Sequence, residues 1–250
     1  MKPSVFRGLL LTFLSGFISA LAFGQQTIRL NVNEYQEDTT GQTDSSWVMM
    51  EVKSDHITDY SATYDQDGSR IIKAESDNAA GGLIYKRRID PEAYPIIEWR
   101  WKVNGVLNDG NLRTKDGDDY AARIYITFDY DKSNLSFGDR LKYAAIKTFT
   151  SYDIPLRALN YIWANRADKG TIAPNPFTDW VYMVAVQSGQ SKSGQWIIES
   201  RNILKDYREA FGENPPDITG IAIMTDSDNT GGSATAYYGD IIFRQSSRSE

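Results

Sequence analysis

The sequence predicts a mainly β protein, an antiparallel β-sandwich of jelly-roll type with one or two short helices. The first observation is strict alternation: Ile97, Trp99, Trp101 and Val103 are apolar, and Glu98, Arg100 and Lys102 lie between them. The second is that turn-forming stretches rich in Asp, Asn and Gly separate such segments. Short strands with breaks of this kind are typical of sandwiches and jelly rolls.

The strand candidates follow one another along most of the chain. They are residues 27–32, 47–52, 70–74, 82–87, 97–103, 120–128, 156–163, 180–187, 195–201, 218–225 and 234–243. Most of them alternate between apolar and polar residues, which indicates one buried and one polar face. The 218–225 segment is apolar at nearly every position, which suits a strand buried on both faces.

Two helices interrupt this pattern. The first follows Asp139, a residue suited to an N-cap, and its apolar residues recur at helical spacing: Leu141, Ala144, Ala145 and Phe149. The second covers residues 203–211, with Asn202 as N-cap and Gly212 as the C′ residue.

Composition excludes several kinds of chemistry. The 250 residues include no Cys and one His, His56, whose polar surroundings predict an exposed loop. Disulfides, thiolate nucleophiles, Cys-ligated zinc and multi-histidine metal sites are therefore excluded. The chain has 33 acidic and 27 basic residues and no basic stripe, which argues against a nucleic-acid partner. Any chemistry must depend mainly on carboxylates, Arg, Lys, Tyr or a hard cation.

The first 24 residues have the features of a signal peptide. Lys2 and Arg7 precede an apolar stretch over residues 8–21, and small residues follow it. Cleavage would change the net charge from −6 to −8 and leave one domain over residues 25–250. We therefore expect a periplasmic or secreted bacterial protein, with no transmembrane segment after cleavage.

The polar faces of the central strands form the first candidate site. If the Trp residues face the core, several strands place Arg, Glu and Tyr on one sheet surface. The expected ligand-binding residues are Arg100, Arg123, Tyr125, Glu199 and Arg201, with Asp118 and Asp119 at the rim and Trp163 at a strand–loop junction. Guanidinium and carboxylate groups bind sugar hydroxyls well, and rings stack on sugars. The alternatives are a solvated face with cross-strand ion pairs, and core burial for Trp163.

Acidic loops form the second candidate site. Three carboxylates lie within residues 116–119, and Asp226 and Asp228 begin a loop that partly matches a calcium-binding pattern. Calcium accepts six to eight oxygen ligands and tolerates irregular geometry. The alternatives are turns with exposed acids, or a pair between Arg123 and Asp118 or Asp119.

Glu199 and Asp206 form the third candidate, as an acid and base pair for glycoside hydrolysis. The alternative is a structural salt bridge from one of them to Arg201.

Several motifs together resemble one family. They are Trp99-Arg100-Trp101-Lys102, Gly117-Asp118-Asp119 leading into Ala122-Arg123, Tyr161-Ile162-Trp163, Glu199-x-Arg201-Asn202, Asp206-Tyr207, Phe211-Gly212-Glu213, Ile221 to Asp226, and Tyr238-Gly239-Asp240-Ile241. Over most of the chain after residue 46 they resemble the DUF3047 family of exported bacterial proteins, a name that implies no activity. A looser resemblance links Gly239-Asp240-Ile241 to galactose-binding-like jelly-roll carbohydrate-binding modules, in which such an Asp can bind structural calcium. That resemblance adds Asp240 to Asp226 and Asp228 as candidate metal ligands.

Three functions remain open from sequence. The first is binding of a glycan or a related polar small molecule, without catalysis. The second is a carboxylate-dependent carbohydrate-active enzyme of the cell envelope. The third is a structural or partner-binding envelope protein, which a large exposed apolar patch would favour.

Overall fold

The computed structural model describes residues 26–36, 46–50, 52, 54–147 and 155–246. The signal peptide expected over residues 1–24 lies outside these residues, as does Phe149. The described part of the chain forms thirteen strands and two α-helices. The strands are β1 (Thr27–Leu30), β2 (Trp47–Met50), β3 (Asp59–Tyr64), β4 (Arg70–Asp77), β5 (Gly82–Ile89), β6 (Ile96–Val103), β7 (Arg123–Phe128), β8 (Ala158–Ala164), β9 (Ile172–Asn175), β10 (Thr178–Ser188), β11 (Ile197–Asn202), β12 (Ile218–Met224) and β13 (Ser233–Arg244).

The strands form two sheets, so the mainly β sandwich predicted from the sequence is confirmed. Sheet A has the order β11-β6-β13-β4-β3, and β1 also pairs with β13. Sheet B has the order β2-β5-β12-β7-β8-β10-β9. All pairs are antiparallel except β8 with β10, which run parallel. This exception arises because β9 pairs with the far edge of β10, so that β10 returns beside β8 in the same direction.

Apolar side chains from both sheets fill the space between them. Trp99 and Trp101 of β6 pack against Tyr161 and Trp163 of β8, with ring centroids 5.2 Å and 5.9 Å apart. All four side chains are buried. The alternation in β6 therefore directs Glu98, Arg100 and Lys102 to the outer face of sheet A, as the sequence predicts.

The two helices differ in how well the sequence predicts them. Helix α2 (Ile203–Phe211) is capped by the Asn202 side chain and ends at Gly212, whose φ is +72°, so this prediction is confirmed. Helix α1 (Phe137–Lys147) begins earlier than expected, because Ser136 and Asp139 exchange capping hydrogen bonds. Asp139 thus occupies the first turn and is not the N-cap. Within the described residues, neither helix has the length and hydropathy of a membrane span.

Candidate functional site

The outer face of sheet A carries two adjacent cations on its strand β6, Arg100 and Lys102. Opposite Arg100, the register between β6 and β13 shifts between Tyr238 and Ile241, which is a β-bulge. The bulge contains Gly239, and the Arg100 side chain crosses it so closely that a Cβ there would lie 2.6 Å from Arg100 Cγ. Gly239 therefore provides the space that the Arg100 side chain occupies.

Two aromatic residues contact these cations, Trp196 at both of them and Tyr237 at Lys102. The Arg100 guanidinium lies 4.6 Å from the ring centroid of Trp196, and Lys102 Nζ lies 5.0 Å from the same ring. Lys102 Nζ also lies 4.4 Å from the ring of Tyr237 on β13. Ring faces attract cations, so the rings restrain both charged groups, and neither cation has a carboxylate at hydrogen-bond distance among the residues that the structure describes.

A cavity of about 430 Å³ opens beside Arg100 on this outer face. It is lined by Arg29, Asn33, Ser69, Arg70, Glu98, Trp99, Arg100, Ile198, Asp240, Ile242 and Arg244. Three of its four arginines are engaged: Arg29 pairs with Asp240, Arg244 pairs with Glu98, and Arg70 donates to backbone carbonyls. Arg100 donates no hydrogen bond to a described residue, and its nearest carboxylates, of Asp65 and Asp67, lie 3.8 Å away. We call this cavity the sheet A groove.

Arg123 occupies the outer face of the opposite sheet, but it is 2% exposed. Its Nε donates to Asp226 Oδ1 over 2.7 Å, and its Nη2 also bonds to that carboxylate and to the Asp118 carbonyl. Its Nη1 donates to Asp118 Oδ1 over 3.2 Å and to the Tyr125 hydroxyl over 3.3 Å. The Tyr120 ring covers the guanidinium at 4.5 Å. This is a buried ion cluster joining β7 to two loops.

The electrostatics of this cluster follow from burial. Burial raises the pKa of Asp226 to about 8, although Arg123 opposes the shift, and it also raises the pKa of Asp118. Burial likewise raises the pKa of the Tyr125 hydroxyl to about 12. Burial therefore disfavours the charged forms of these groups, and Arg123 offsets part of that cost for the two carboxylates beside it.

Part of the cluster could hold a cation. Carboxylate oxygens of Asp119, Asp226 and Asp228 lie within 4.8 Å of one another. Asp119 also accepts hydrogen bonds from the Thr230 hydroxyl and backbone N–H. Such an oxygen donor set is of the kind that suits calcium. Asp240 is not part of it, because its carboxylate pairs with Arg29 at 2.5 Å and accepts from the Val32 N–H.

The last three expected residues are on the inner faces of the sheets, although Arg201, on the edge strand β11, keeps 29% of its side chain exposed. Glu199 is buried and accepts a 2.6 Å hydrogen bond from Gln187, with Lys169 at 3.6 Å. Arg201 makes two hydrogen bonds to Asp206, which confirms the structural salt bridge as the alternative for this pair. Trp163 is fully buried and donates to the Gly189 carbonyl.

The expectation of one polar face containing all these residues is therefore wrong. The structure brings Asp118, Asp119, Arg123 and Tyr125 together on sheet B, and it places Arg100 on sheet A. Strand β11 pairs Glu199 with Trp99 and Arg201 with Ile97, so both face inward. A ligand-binding role for these residues stays a prediction, and Arg100 is the one of them that lines the cavity on sheet A.

A sequence comparison supplies the family. The profile of a family described as Protein of unknown function (DUF3047) matches residues 45–242. The chain belongs to the DUF3047 family. No curated protein sequence matches this DUF3047 chain significantly.

Solved structures similar to this DUF3047 protein are only distant. A Bauhinia forficata lectin in complex with GalNAc is 13% identical, covers 89% of this chain and 99% of its own, and has a TM-score of 0.34. The corresponding values for the cellulose-induced protein Cip1 are 11%, 86%, 96% and 0.36. For winged bean acidic lectin they are 8%, 88%, 98% and 0.35. At such scores, no conclusion about a ligand follows.

Several residues that line the groove of this DUF3047 protein, or lie near Arg100 on the same face, are absent from the sequence-based site. Alternation already placed Lys102 and Glu98 on the face of Arg100. The contributions of Arg29, Arg70 and Arg244 depend on which strands pair with β6 and β13, and those pairings are non-local. Trp196 lies within the strand candidate 195–201 but before the first residue of β11, Ile197, and it was not assigned to the site.

Proposed function

We propose that this protein is an exported, non-catalytic binding protein for a glycan or a related polar ligand, with its site in the sheet A groove. The proposal depends on the state of the Arg100 guanidinium. Gly239 and Trp196 restrain it in the groove, while its N–H donors have no hydrogen-bond partners in the described chain. Restrained donors of this kind favour binding, because less side-chain entropy is lost when the ligand arrives.

The rest of the groove suits a sugar. A volume of about 430 Å³ falls in the roughly 300–1,000 Å³ range of small-molecule sites. Guanidinium groups can donate to sugar hydroxyls, and the carboxylates of Glu98 and Asp240 can accept from them. Ile198 is 76% exposed beside Arg100 and offers an apolar surface to the C–H face of a ring.

The proposal omits catalysis because the candidate carboxylates are already engaged. Asp118 and Asp226 bond to Arg123, Asp206 bonds to Arg201, and Glu199 bonds to Gln187. A carboxyl pair in glycoside hydrolysis needs both groups free to face one scissile bond.

The test is glycan-array screening of the mature protein, followed by calorimetric titration of any ligand found. Loss of one charge-assisted contact typically costs about 1.5–3 kcal/mol, so Arg100→Ala should weaken binding roughly tenfold to a hundredfold. Arg88→Ala is the matched control, since Arg88 is exposed on sheet B and pairs with Asp129 and Asp217. If Arg100→Ala binds as well as the wild type, the site is wrong. If no glycan binds at all, the function is wrong.

A further inference from the structure

Resting on the proposed function, we propose that the ligand is an acidic saccharide whose carboxylate binds Arg100, which lines the sheet A groove, and Lys102, which is not part of the groove lining. The two residues lie two apart on β6, so their side chains share the outer face of sheet A. Adjacent like charges repel, and neither cation has a carboxylate at hydrogen-bond distance in the described chain.

The surroundings of Lys102 distinguish this pair from the other cations of the face. Arg29 and Arg244 each have a carboxylate at 2.5 Å, and Lys73 has Glu75 at 2.8 Å. Lys102 instead contacts the rings of Trp196 and Tyr237, which restrain an ammonium group but carry no net charge. An anion placed there would meet an uncompensated charge in a protein whose net charge is −6.

The two carboxylates near Arg100 do not remove this preference. Asp67 accepts a hydrogen bond from the Ser69 N–H in its own turn, which holds it in that turn. Asp65 lies 3.8 Å from Arg100 Nη1 and can accept from a hydroxyl group. A sugar acid offers both groups at once, because its carboxylate reaches the cations while its ring hydroxyls donate to Asp65.

The bulge at Gly239 also fits this role. Bulges are frequent beside functional sites, where they redirect a side chain. Here the absence of a Cβ lets the Arg100 side chain lie across the β13 backbone. A Cβ at residue 239 would lie 2.7 Å from Arg100 Nε. Gly239 is thus a positioning residue, and Gly239→Ala must displace the guanidinium without removing any charge.

The experiment compares oligogalacturonates with their methyl esters, which keep the ring and hydroxyls but lose the charge. Calorimetry on the full mature protein should give at least about tenfold tighter binding of the acid form, falling as salt rises. Lys102→Met should remove most of this preference and leave binding of the ester unchanged. Lys86→Met, on the exposed part of β5, is the matched control and should change neither.

Gly239→Ala should weaken binding of the acid form, and circular dichroism with thermal melting will show that the variant is folded. Equal binding of acid and ester by the wild type would overturn the acidic class while leaving the proposed function intact. An acid preference that survives Lys102→Met would place the carboxylate elsewhere and overturn the assignment. Binding of neither form, together with a glycan array without hits, would remove both proposals.

Discussion

Replacing Arg123 with Met should destabilise the protein strongly, because it leaves the carboxylates of Asp118 and Asp226 buried without their cation. The Met side chain fills similar space, so the main loss is electrostatic. Removing one partner of a buried ion pair costs about 3–5 kcal/mol. With a urea m-value of roughly 2–3 kcal/mol per M, the unfolding midpoint should fall by about 1–2.5 M.

The assay is urea unfolding followed by tryptophan fluorescence, at about pH 5 and about pH 9. Arg123 lowers the pKa of both carboxyls against the effect of burial. Without it their native-state pKa values rise further, so the variant loses more stability as pH rises and less at acidic pH. Arg88→Met is the control, because its side chain is 62% exposed and surface pairs contribute about 0–1 kcal/mol. Equal losses in the two variants, or an Arg123→Met loss independent of pH, would refute this reasoning.

Three further predictions concern the interior. If a calcium ion binds Asp119, Asp226 and Asp228, a chelator lowers the melting temperature and added Ca²⁺ restores it, whereas an unchanged melting curve in both conditions removes the claim. In chelated protein, the native pKa of Asp226 of about 8 exceeds its unfolded value of about 3.9, so its contribution makes the free energy of unfolding fall as pH rises from about 4 to 8. Asp226→Asn should flatten that slope, and an identical slope in the variant would contradict the pKa shift. Asn160 is fully buried, and neither polar atom of its side-chain amide has a hydrogen-bond partner in the described chain. Asn160→Leu should therefore raise the free energy of unfolding by about 1–3 kcal/mol. A loss of stability in urea titration would show that the amide is paired in solution.

The sequence predicted the strands well because alternation is a local property. Residues 97–103 show which side chains share a face, and the structure confirms that assignment in β6. Strand β3 (Asp59–Tyr64) and strand β9 (Ile172–Asn175) were absent from the sequence candidates. Both are edge strands with mixed, partly exposed residues, so they lack the periodic signal of a half-buried strand.

The candidate site was predicted less well because alternation does not say what covers the polar side of a strand. Arg123 and Tyr125 do point away from the core, as expected. The outer face of sheet B is covered there, however, and Tyr120 and Leu112 pack with Ile162 of β8 in a second apolar cluster. Which loop folds over a sheet is decided by non-local contacts, so a residue on the outer face can still be buried.

Arg100 and Arg123 show how the surroundings decide the role of one residue type. Both lie on outer faces, but the side chain of Arg100 is 27% exposed and that of Arg123 is 2% exposed. Arg123 uses its donors on Asp118, Asp226 and Tyr125, so a ligand could reach it only by breaking a buried cluster. Arg100 is restrained by the Trp196 ring and the bulge at Gly239 without hydrogen bonds to the described chain, so a ligand can bind it without such a cost. Variants at the two positions should therefore separate: changes at Arg123 lower stability first, whereas changes at Arg100 lower affinity in a protein that remains folded.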